Sequence, residues 1–374
     1  MKAQTHILFA KLFDSGGSNS HFKLLVQYFT SANIVLVLEN KDQLTYLENI
    51  TTERFKKIKV IPWLPAHVQT RYKQTTNIKN ILLLACAYLK ILLLSMRYGL
   101  SDITISSVEP ERYLYLLALP FVRVRYILHS LPGPAMSPFT INVCNVFLGA
   151  RKQIITVSNS MKNAITENWQ IAESRSKYVR VVYNSLLDAP KQSVQLQSKS
   201  SDITVMTLGH VDVRKNPSIW FEAAKTLTIK YPSVRFEWLG NGPLLTHFQS
   251  LASDFDNIHF CGHSVIAQQQ LKTATIYYQP SIIEPQGIAV LEAMNNKLPC
   301  VVSNVGGLPE SVINGYNGHV VSATDVDEHV RAISSLIEDK DLRKQFGENS
   351  YARYNELFTY ASFKSKMDAI YQCA

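Results

Sequence analysis

Short apolar runs alternate with amphipathic helical patterns along almost the whole chain, and turns that often carry glycine separate them. Runs of this length are typical of β-strands rather than of buried helices. Because neighbouring parallel strands must be joined by a crossover, usually a helix, the alternation indicates parallel sheets. It predicts an α/β fold, and 374 residues are enough for two domains of ordinary size.

The apolar runs form two series. The predicted strands of the first series are 6–10, 34–38, 59–62, 103–106, 124–129 and 154–157, and those of the second are 203–208, 235–239, 258–261, 274–278, 300–303 and 319–321. Between the series, residues 187–202 are polar and without periodicity, which is typical of a linker. We therefore predict two doubly wound, Rossmann-like domains facing each other across a cleft, with ligands beyond the carboxyl ends of the strands.

The predicted domain limits follow from this division. An N-terminal domain would cover residues 1–186 and a C-terminal domain residues 203–358. The last residues, 359–374, are expected to form a helix that packs back on the N-terminal domain.

Charge is distributed unevenly between the two halves. Residues 1–180 carry 22 Lys and Arg against 10 Asp and Glu, a net +12, and the rest of the chain carries 16 against 19, a net −3. A basic first half suggests an anionic partner such as a phosphorylated substrate or an anionic membrane surface. Nucleic acid is disfavoured because no basic patch is interleaved with aromatic residues.

Two features bear on location. The five cysteines are scattered without a Cys-x-x-Cys pair, which indicates a reducing compartment, and the first residues lack the apolar core of a signal peptide. We expect a cytoplasmic protein. The apolar run at 81–96 is shorter than a membrane span and is interrupted by Lys90, so we interpret it as a buried helix, with a helix on a membrane surface as the alternative.

The segment SIIEPQGIAVLEAM, residues 281–294, has an unusual pattern of acids. Gly287 precedes a predicted helix at 288–296, whose free N–H groups and positive dipole end suit an anion such as phosphate. Glu284 lies just before that helix and Glu292 lies inside it, where both could accept hydrogen bonds from sugar hydroxyls. From the residues alone, a solvated turn for Glu284 and a structural ion pair for Glu292 are equally good interpretations.

Other strand ends carry candidate binding residues. Arg214 and Lys215 follow the first strand of the second series, where phosphates bind in such folds, although both could be solvated loop charges. Gly16 and Gly17 follow the first strand of the chain and could bring backbone amides against a ligand. His129 ends a strand, although a lone histidine is more often structural.

Asp325 and Asp327 form a D-x-D sequence, which elsewhere can bind a metal ion. They open a predicted helix at 327–337, so an N-cap and an acidic first turn explain them. No other group of residues has the spacing of metal ligands, and neither a metal nor a cofactor is expected.

Several of these motifs together resemble the family-4 (group 1) retaining glycosyltransferases of GT-B fold. EPQGIAVLEAM resembles the E-x7-E motif of that family, PCVVSNVGGLPE resembles its PVVATDVGGIPE block, and GYNGHVV resembles its GENGLLV block. LGNGPL, FCGH, VSNSMK and VVYNSLLD match shorter blocks in the expected order. The resemblance covers nearly the whole chain and is strongest between residues 203 and 322.

The resemblance implies a role for each domain. The C-terminal domain would bind a nucleotide diphosphate sugar, and the N-terminal domain would bind a saccharide or lipid-linked saccharide acceptor. The activity would be retaining, metal-independent hexosyl transfer, and its setting the synthesis of surface polysaccharide, with the enzyme in the cytoplasm or peripheral on the inner membrane face.

The resemblance also implies roles for individual residues. Glu284 would contact the transferred sugar, and Glu292 the ribose. The diphosphate would be held by residues with positive charge or backbone N–H groups, namely Gly17, Arg214, Lys215, Gly287 and Ile288. His129 would lie near the reacting centre, so that Glu284, His129 and Lys215 form the catalytic set.

Two positions depart from the family pattern. His210 stands where the family has an arginine that grips the diphosphate; Arg214 would compensate, or donor binding would be weak or pH-sensitive. Gln286 replaces a common phenylalanine, a change expected to alter packing rather than chemistry. The alternatives to a transferase are a nucleotide-sugar epimerase of the same fold, against which the E-x7-E and GGLPE motifs argue, and a non-catalytic nucleotide-sugar-binding partner, which only His210 favours.

Overall fold

A computed structural model of the chain describes residues 5–10, 17–29, 33–38, 59–62, 85–86, 88–93, 96–97, 102–107, 113–131, 138–187, 203–264 and 266–372. The strands are β1 Thr5–Ala10, β2 Asn33–Leu38, β3 Lys59–Pro62, β4 Asp102–Ser107, β5 Arg123–Leu128, β6 Lys152–Thr156, β7 Val179–Val181, β8 Thr204–Leu208, β9 Arg235–Leu239, β10 Ile258–Gly262, β11 Ile276–Gln279, β12 Cys300–Ser303 and β13 Gly318–Val321.

The helices lie between these strands and after the last one. They are α1 Gly17–Tyr28, α2 Pro138–Phe147, α3 Asn159–Asn168, α4 Glu173–Ser176, α5 Pro217–Lys230, α6 Leu245–Ala252, α7 Ala267–Gln270, α8 Ile288–Asn295, α9 Leu308–Ser311, α10 Val326–Glu338, α11 Lys340–Leu357 and α12 Tyr360–Gln372. Short 3-10 turns occur at Leu114–Ala118, Val213–Lys215 and Leu271–Thr273, and residues 88–93 are also helical.

The chain divides into two compact units. Met1–Tyr183 together with Lys364–Ala374 form unit 1, and Asn184–Phe363 form unit 2. Within the described residues, unit 1 has seven parallel strands in the order β3-β2-β1-β4-β5-β6-β7, and unit 2 has six in the order β10-β9-β8-β11-β12-β13. Each order reverses beside the first strand of its unit, and ligands bind at such reversals in open α/β sheets.

The core of unit 1 lies on its sheet and includes the end of the chain. Arg125 on β5 is completely buried, and its guanidinium donates hydrogen bonds to the carbonyls of Arg151 at 3.0 Å and Ile370 at 3.1 Å. The hydroxyls of Thr104 and Tyr371 are 2.5 Å apart. A buried cation therefore binds the carboxyl-terminal end of α12, where the helix dipole favours positive charge.

Aromatic rings fill the core of unit 2. Trp220 on α5 lies with its ring centroid 5.4 Å from that of Trp238 on β9, and Trp238 stacks on Phe260 of β10 at 5.7 Å. Both indole N–H groups are satisfied, because Trp220 donates to Thr207 at 2.7 Å and Trp238 donates to the carbonyl of Gly209 at 2.8 Å. These bonds hold the carboxyl end of β8 in place.

Most predicted strands match observed ones within two residues, and the prediction of parallel α/β sheets is confirmed. Strand β7 was missed because three residues at a sheet edge give almost no periodic signal. The predicted linker at 187–202 lies outside the described residues from position 188 onward.

The prediction at 81–96 is confirmed as a helix over residues 85–86, 88–93 and 96, but its expected burial is wrong for several of them. Ile91 is buried, but Leu89, Leu93 and Met96 expose 54%, 56% and 72% of their surface. One face of this segment packs on the core of unit 1 and another face does not. Among the described residues, no helix has the length and apolar character needed to cross a membrane.

His329 on α10 gives the fold a measurable dependence on pH. It is completely buried beside Tyr278, and burial lowers its pKa from 6.5 to about 4. The unfolded chain therefore binds a proton at a higher pH than the folded chain, so stability is lost as the pH falls below about 6.5. At roughly 1.4 kcal/mol for each pKa unit, this one histidine can remove about 3 kcal/mol by pH 4.

We predict that His329→Leu loses less free energy of unfolding than the unmodified protein between pH 6.5 and pH 4, measured by urea unfolding at each pH. His247→Leu, which changes an exposed histidine of the same unit, is the control and should keep the original slope. Equal slopes for the His329→Leu variant and the unmodified protein would contradict the assignment.

Candidate functional site

The strand order of unit 2 reverses between β8 and β11, and the two candidate residues of opposite charge follow these strands. Lys215 lies in the segment after β8, and Glu284 lies in the segment after β11. The two segments are joined by a backbone hydrogen bond from the N–H of Ile282 to the carbonyl of Arg214, 2.9 Å long. A polar site is thus assembled where ligands bind in folds of this kind.

Local capping fixes the position of Lys215. The carboxylate of Asp212 accepts a hydrogen bond from the N–H of Lys215 at 3.2 Å and so caps the 3-10 turn that contains it. Asn216 then takes a left-handed conformation, with φ 59°, and Pro217 begins α5. Lys215 is therefore held at a change of direction between a strand and a helix.

Lys215 and Glu284 form an ion pair between Nζ and Oε2. The side chains expose 17% and 11% of their surfaces, so the pair is largely removed from water. Gln279, the last residue of β11, donates a second hydrogen bond from Nε2 to the same Oε2 at 2.8 Å. Among the described residues, both hydrogen bonds of this carboxylate fall on Oε2, and Oε1 retains its capacity to accept one.

A glycine loop lies directly against Glu284. The N–H of Gly307 donates to the carbonyl of Glu284 at 3.0 Å. A Cβ atom on Gly306 would lie 1.9 Å from the same carbonyl oxygen, and Gly306 has φ 54°. Only glycine allows this backbone approach, which explains the first glycine of the GGLPE motif in structural terms.

The helix α8 begins directly after this contact. Gly287 is its N-cap, with φ 92° and ψ 75°, and Ile288 is its first residue. A Cβ atom on Gly287 would lie 2.9 Å from Leu308 and 3.5 Å from Cγ of Glu284. The free N–H groups of the first turn of α8 therefore lie next to Glu284, in the arrangement that binds anions.

Glu292 lies one turn further along α8. It is half-buried and its Oε1 accepts a hydrogen bond from Nε2 of Gln268 at 2.7 Å. Burial raises the pKa of Glu292, and the hydrogen bond from Gln268 opposes that change. Among the residues that the structure describes, this carboxylate has an amide as its partner rather than the structural ion pair considered from the sequence.

The side chains of the two other basic candidates, Arg214 and His210, differ from Lys215 in their contacts. The guanidinium of Arg214 binds Asp212 Oδ2 at 2.6 Å, and its side chain is 64% exposed. His210 is half-buried in the segment after β8. Whether Arg214 compensates for the arginine that His210 replaces stays a prediction.

The candidate residues of unit 1 gather at the carboxyl ends of its central strands. His129 directly follows β5, and its Nε2 lies 2.9 Å from Oγ of Ser106 on β4. His21 on α1 lies with its ring centroid 4.2 Å from that of His129. Burial lowers the pKa of His129 well below its ordinary value, and the neighbouring His21 lowers it further. Gly17 is the first residue of α1, and Gly16 lies outside the described residues.

The replacement of phenylalanine by Gln286 changes hydrogen bonding as well as packing. Gln286 is buried, and its Oε1 accepts a hydrogen bond from the N–H of Asn184 at 2.7 Å. The expectation that this residue alters packing rather than chemistry stays a prediction. The interpretation of Asp325 as an N-cap is confirmed, since its carboxylate accepts from the N–H groups of Asp327 at 2.9 Å and Glu328 at 3.2 Å.

Four residues that contact the candidate residues of one unit or the other, or contact a neighbour of theirs, were not predicted from the sequence. They are Ser106, His21, Tyr277 and Gln279. A glutamine that ends the otherwise apolar strand IYYQ is a signal that could have identified Gln279, because a buried amide needs partners.

Comparison with known proteins gives a family match for the second half. Residues 188–353 match the family described as "Glycosyl transferases group 1". An Escherichia coli protein, UDP-Gal:alpha-D-GlcNAc-diphosphoundecaprenol alpha-1,3-galactosyltransferase, is 27% identical over 150 residues, which are 38% of this chain and 39% of that protein. The aligned region thus spans less than two-fifths of the length of this curated relative.

Solved structures resemble the whole chain. A glycosyltransferase from Rickettsia africae superposes with a TM-score of 0.81 at 16% identity, covering 100% of this chain and 99% of that one. Anabaena Alr3699/HepE in complex with UDP superposes with a TM-score of 0.77 at 17% identity, covering 99% and 100%. At this level of identity the likeness shows the fold, and the predicted GT-B fold is confirmed.

The contact between Gly306 and Glu284 leads to a prediction about stability. We expect Gly306→Ala to lower the free energy of unfolding by roughly 3 kcal/mol, because it adds an overpacked contact to the strain of a left-handed residue. Gly315→Ala is the matched control: Gly315 also has positive φ, 76°, but no atom lies within 4 Å of its Cβ position. This control should lose only about 1 kcal/mol in the same urea titration. Equal losses in the two variants would show that the backbone contact at Glu284 is unimportant.

Proposed function

We propose that the protein is a retaining glycosyltransferase that moves a hexose from a nucleoside diphosphate sugar. The observation that carries the proposal is the ion pair of Lys215 and Glu284 beside the glycine-capped start of α8, at the strand-order reversal of unit 2. A cation and a helix N-terminus suit a diphosphate, and a neighbouring carboxylate suits sugar hydroxyls. The family match over residues 188–353 supports it.

The proposed chemistry follows from where charge develops. Breaking the anomeric C–O bond leaves a nucleoside diphosphate with additional negative charge, which Lys215 and the N–H groups of α8 would stabilise. The sugar would become oxocarbenium-like, and the acceptor hydroxyl would attack from the face that the diphosphate leaves. The leaving diphosphate would accept the acceptor's proton, and the configuration at the anomeric carbon would be retained.

The bonding of Glu284 supports attack from that face over a covalent glycosyl-enzyme. Its Oε2 is bound by both Lys215 and Gln279, and these two donors reduce the nucleophilic strength of the carboxylate. Glu284 would instead accept a hydrogen bond from the sugar through Oε1. His129, whose low pKa keeps it neutral near pH 7, would act as a hydrogen-bonding group near the reacting sugar.

The proposed acceptor is a saccharide or lipid-linked saccharide, with unit 1 on an anionic membrane. Leu89, Leu93 and Met96 expose apolar surface on the segment that also carries the exposed Lys90 and Arg97. Apolar and basic side chains on one helical segment are the combination that binds anionic lipid surfaces. The setting would be the synthesis of surface polysaccharide at the inner face of the cytoplasmic membrane.

A donor panel tests the proposed activity. We expect one of the UDP-, GDP- or ADP-hexoses to raise the thermal unfolding midpoint and to release its nucleoside diphosphate in a turnover assay. Lys215→Met, which keeps the length of the side chain, should weaken binding of that donor by roughly 10–100-fold, the effect of a lost charge-assisted contact. Lys225→Ala, which breaks an exposed pair with Glu222, is the control and should bind normally.

The same assay separates the alternatives. Interconversion of UDP-N-acetylglucosamine with its epimer, in the absence of acceptor, would identify an epimerase. Donor binding without any turnover, together with cellular glycan unchanged by Glu284→Ala, would identify a non-catalytic binding partner. If no nucleotide sugar binds, the proposal is wrong.

A vesicle assay tests the membrane contact. We expect the protein to sediment with vesicles that contain phosphatidylglycerol, less with pure phosphatidylcholine, and less at high salt, because surface charges are screened. The double change Leu89→Ser and Leu93→Ser should reduce sedimentation about tenfold, as the loss of partly inserted leucines requires. Ile229→Ser, at an exposed apolar residue of unit 2, should have no effect. Equal sedimentation of all three proteins would exclude this surface.

A further inference from the structure

We infer that Gln279 and Tyr277 are positioning residues that hold the Glu284 carboxylate in place while a donor occupies the site. This inference rests on the proposed function. It concerns residues that support the Glu284 carboxylate rather than residues that would contact the donor. The three side chains form one hydrogen-bonded chain from Tyr277 through Gln279 to Glu284.

The orientation of the Gln279 amide follows from its partners. A carboxylate only accepts hydrogen bonds, so the atom of Gln279 that faces Glu284 Oε2 at 2.8 Å must be the NH2 group. Oε1 of Gln279 therefore faces the hydroxyl of Tyr277, which donates to it at 2.8 Å. The second N–H of the amide reaches Oγ of Ser281 at 3.2 Å. Every polar atom of this completely buried side chain is thus satisfied in one orientation only.

Tyr277 remains a hydrogen-bond donor to Gln279 because its hydroxyl stays protonated. It is completely buried, and burial raises its pKa well above the ordinary value, so the phenol keeps its proton. Its other acceptor, the carbonyl of Leu208, is 3.5 Å away, at the limit of a hydrogen bond. The proton of Tyr277 therefore fixes the amide, and the amide fixes Oε2 of Glu284.

Glu284 needs a neutral hydrogen-bond donor because Lys215 would also be attracted to the diphosphate. An ammonium beside a diphosphate will direct its hydrogen bonds to that ligand, which weakens its hold on Glu284. The neutral amide of Gln279 has no comparable attraction to the diphosphate and remains on Oε2. Glu284 then keeps Oε1 available to the sugar, and an error of about 1 Å in such a group can reduce the rate about 100-fold.

The opposite interpretation is that the chain of hydrogen bonds only satisfies buried polar atoms. The two interpretations differ in whether the effect of changing Tyr277 on turnover depends on the Gln279 amide. If Tyr277 acts through Gln279, then removing its hydroxyl matters only while the amide is present. A purely structural role predicts losses of stability, with no such dependence in the turnover number.

The test is a double-mutant cycle in nucleoside diphosphate release from the hexose donor found in the panel. Gln279→Met, which keeps length and removes the amide, should lower kcat about 10–100-fold and change the donor KM less than threefold. Tyr277→Phe should lower kcat about threefold to tenfold in the unmodified protein and have no effect in the Gln279→Met background. Gln279→Glu should be worse than Gln279→Met, because two carboxylates would then share Lys215.

A control variant excludes a general effect of removing a side-chain amide from unit 2. Gln249→Met removes another side-chain amide of unit 2, one that donates to the carbonyl of Phe260 on β10, three strands from β11 in the sheet. It should leave kcat unchanged. Equal effects of Tyr277→Phe in both backgrounds, or an unchanged kcat in Gln279→Met, would overturn the inference.

Crystal structures of the unmodified protein and of Gln279→Met decide the matter even if no nucleotide sugar is turned over. We expect the Glu284 carboxylate to move by about 1 Å or more in the variant when UDP is bound, because Lys215 alone then holds it. A carboxylate that stays in place would overturn the inference. Absence of turnover in the unmodified protein would count against the proposed function alone.

Discussion

A carboxylate in a protein interior needs fixed donors, and the arrangement of unit 2 depends on how Glu284 obtains them. Its donors come from two places in the sequence, Lys215 after β8 and Gln279 at the end of β11. These positions are neighbours because β8 and β11 pair in parallel at the reversal of strand order. The sheet topology therefore creates the charge pair, and it places the pair at the reversal of strand order, where ligands bind in open α/β sheets.

Close backbone contacts join the loops at the carboxyl end of this sheet. A Cβ atom on Gly306 would meet the Glu284 carbonyl, one on Gly240 would lie 2.0 Å from the carbonyl of Gly209, and one on Gly242 would lie 2.3 Å from that of Val211. Loops that cross with no side chain between them have little freedom to move independently. The glycines of LGNGPL and GGLPE thus let these loops approach closely, and close contacts of this kind favour a preorganised arrangement of the residues they carry.

The sequence was sufficient for the α/β class and for most strands because parallel strands, buried on both faces, have a strong apolar signal. It was insufficient where the outcome depends on distant partners. The apolar run at 81–96 does not reveal that Leu89 and Leu93 are exposed, and the three residues of β7 are too few for a pattern. Glu284 was identified as a candidate, but its contact with Lys215, 69 positions away, exists only once the sheet has formed.

The two units treat their polar groups at the strand ends differently. In unit 2 opposite charges, Lys215 and Glu284, are paired, and such a pair can reorganise when a charged ligand arrives. In unit 1 the rings of His21 and His129 are 4.2 Å apart, and burial, together with the neighbouring His21, lowers the pKa of His129 and favours its neutral form. Ser106, bonded to Nε2 of His129, further restricts the orientation of that ring. Charged groups suit an anionic ligand, whereas neutral hydrogen-bonding groups suit uncharged hydroxyls, so the strand ends of the two units differ in the ligand chemistry that they favour.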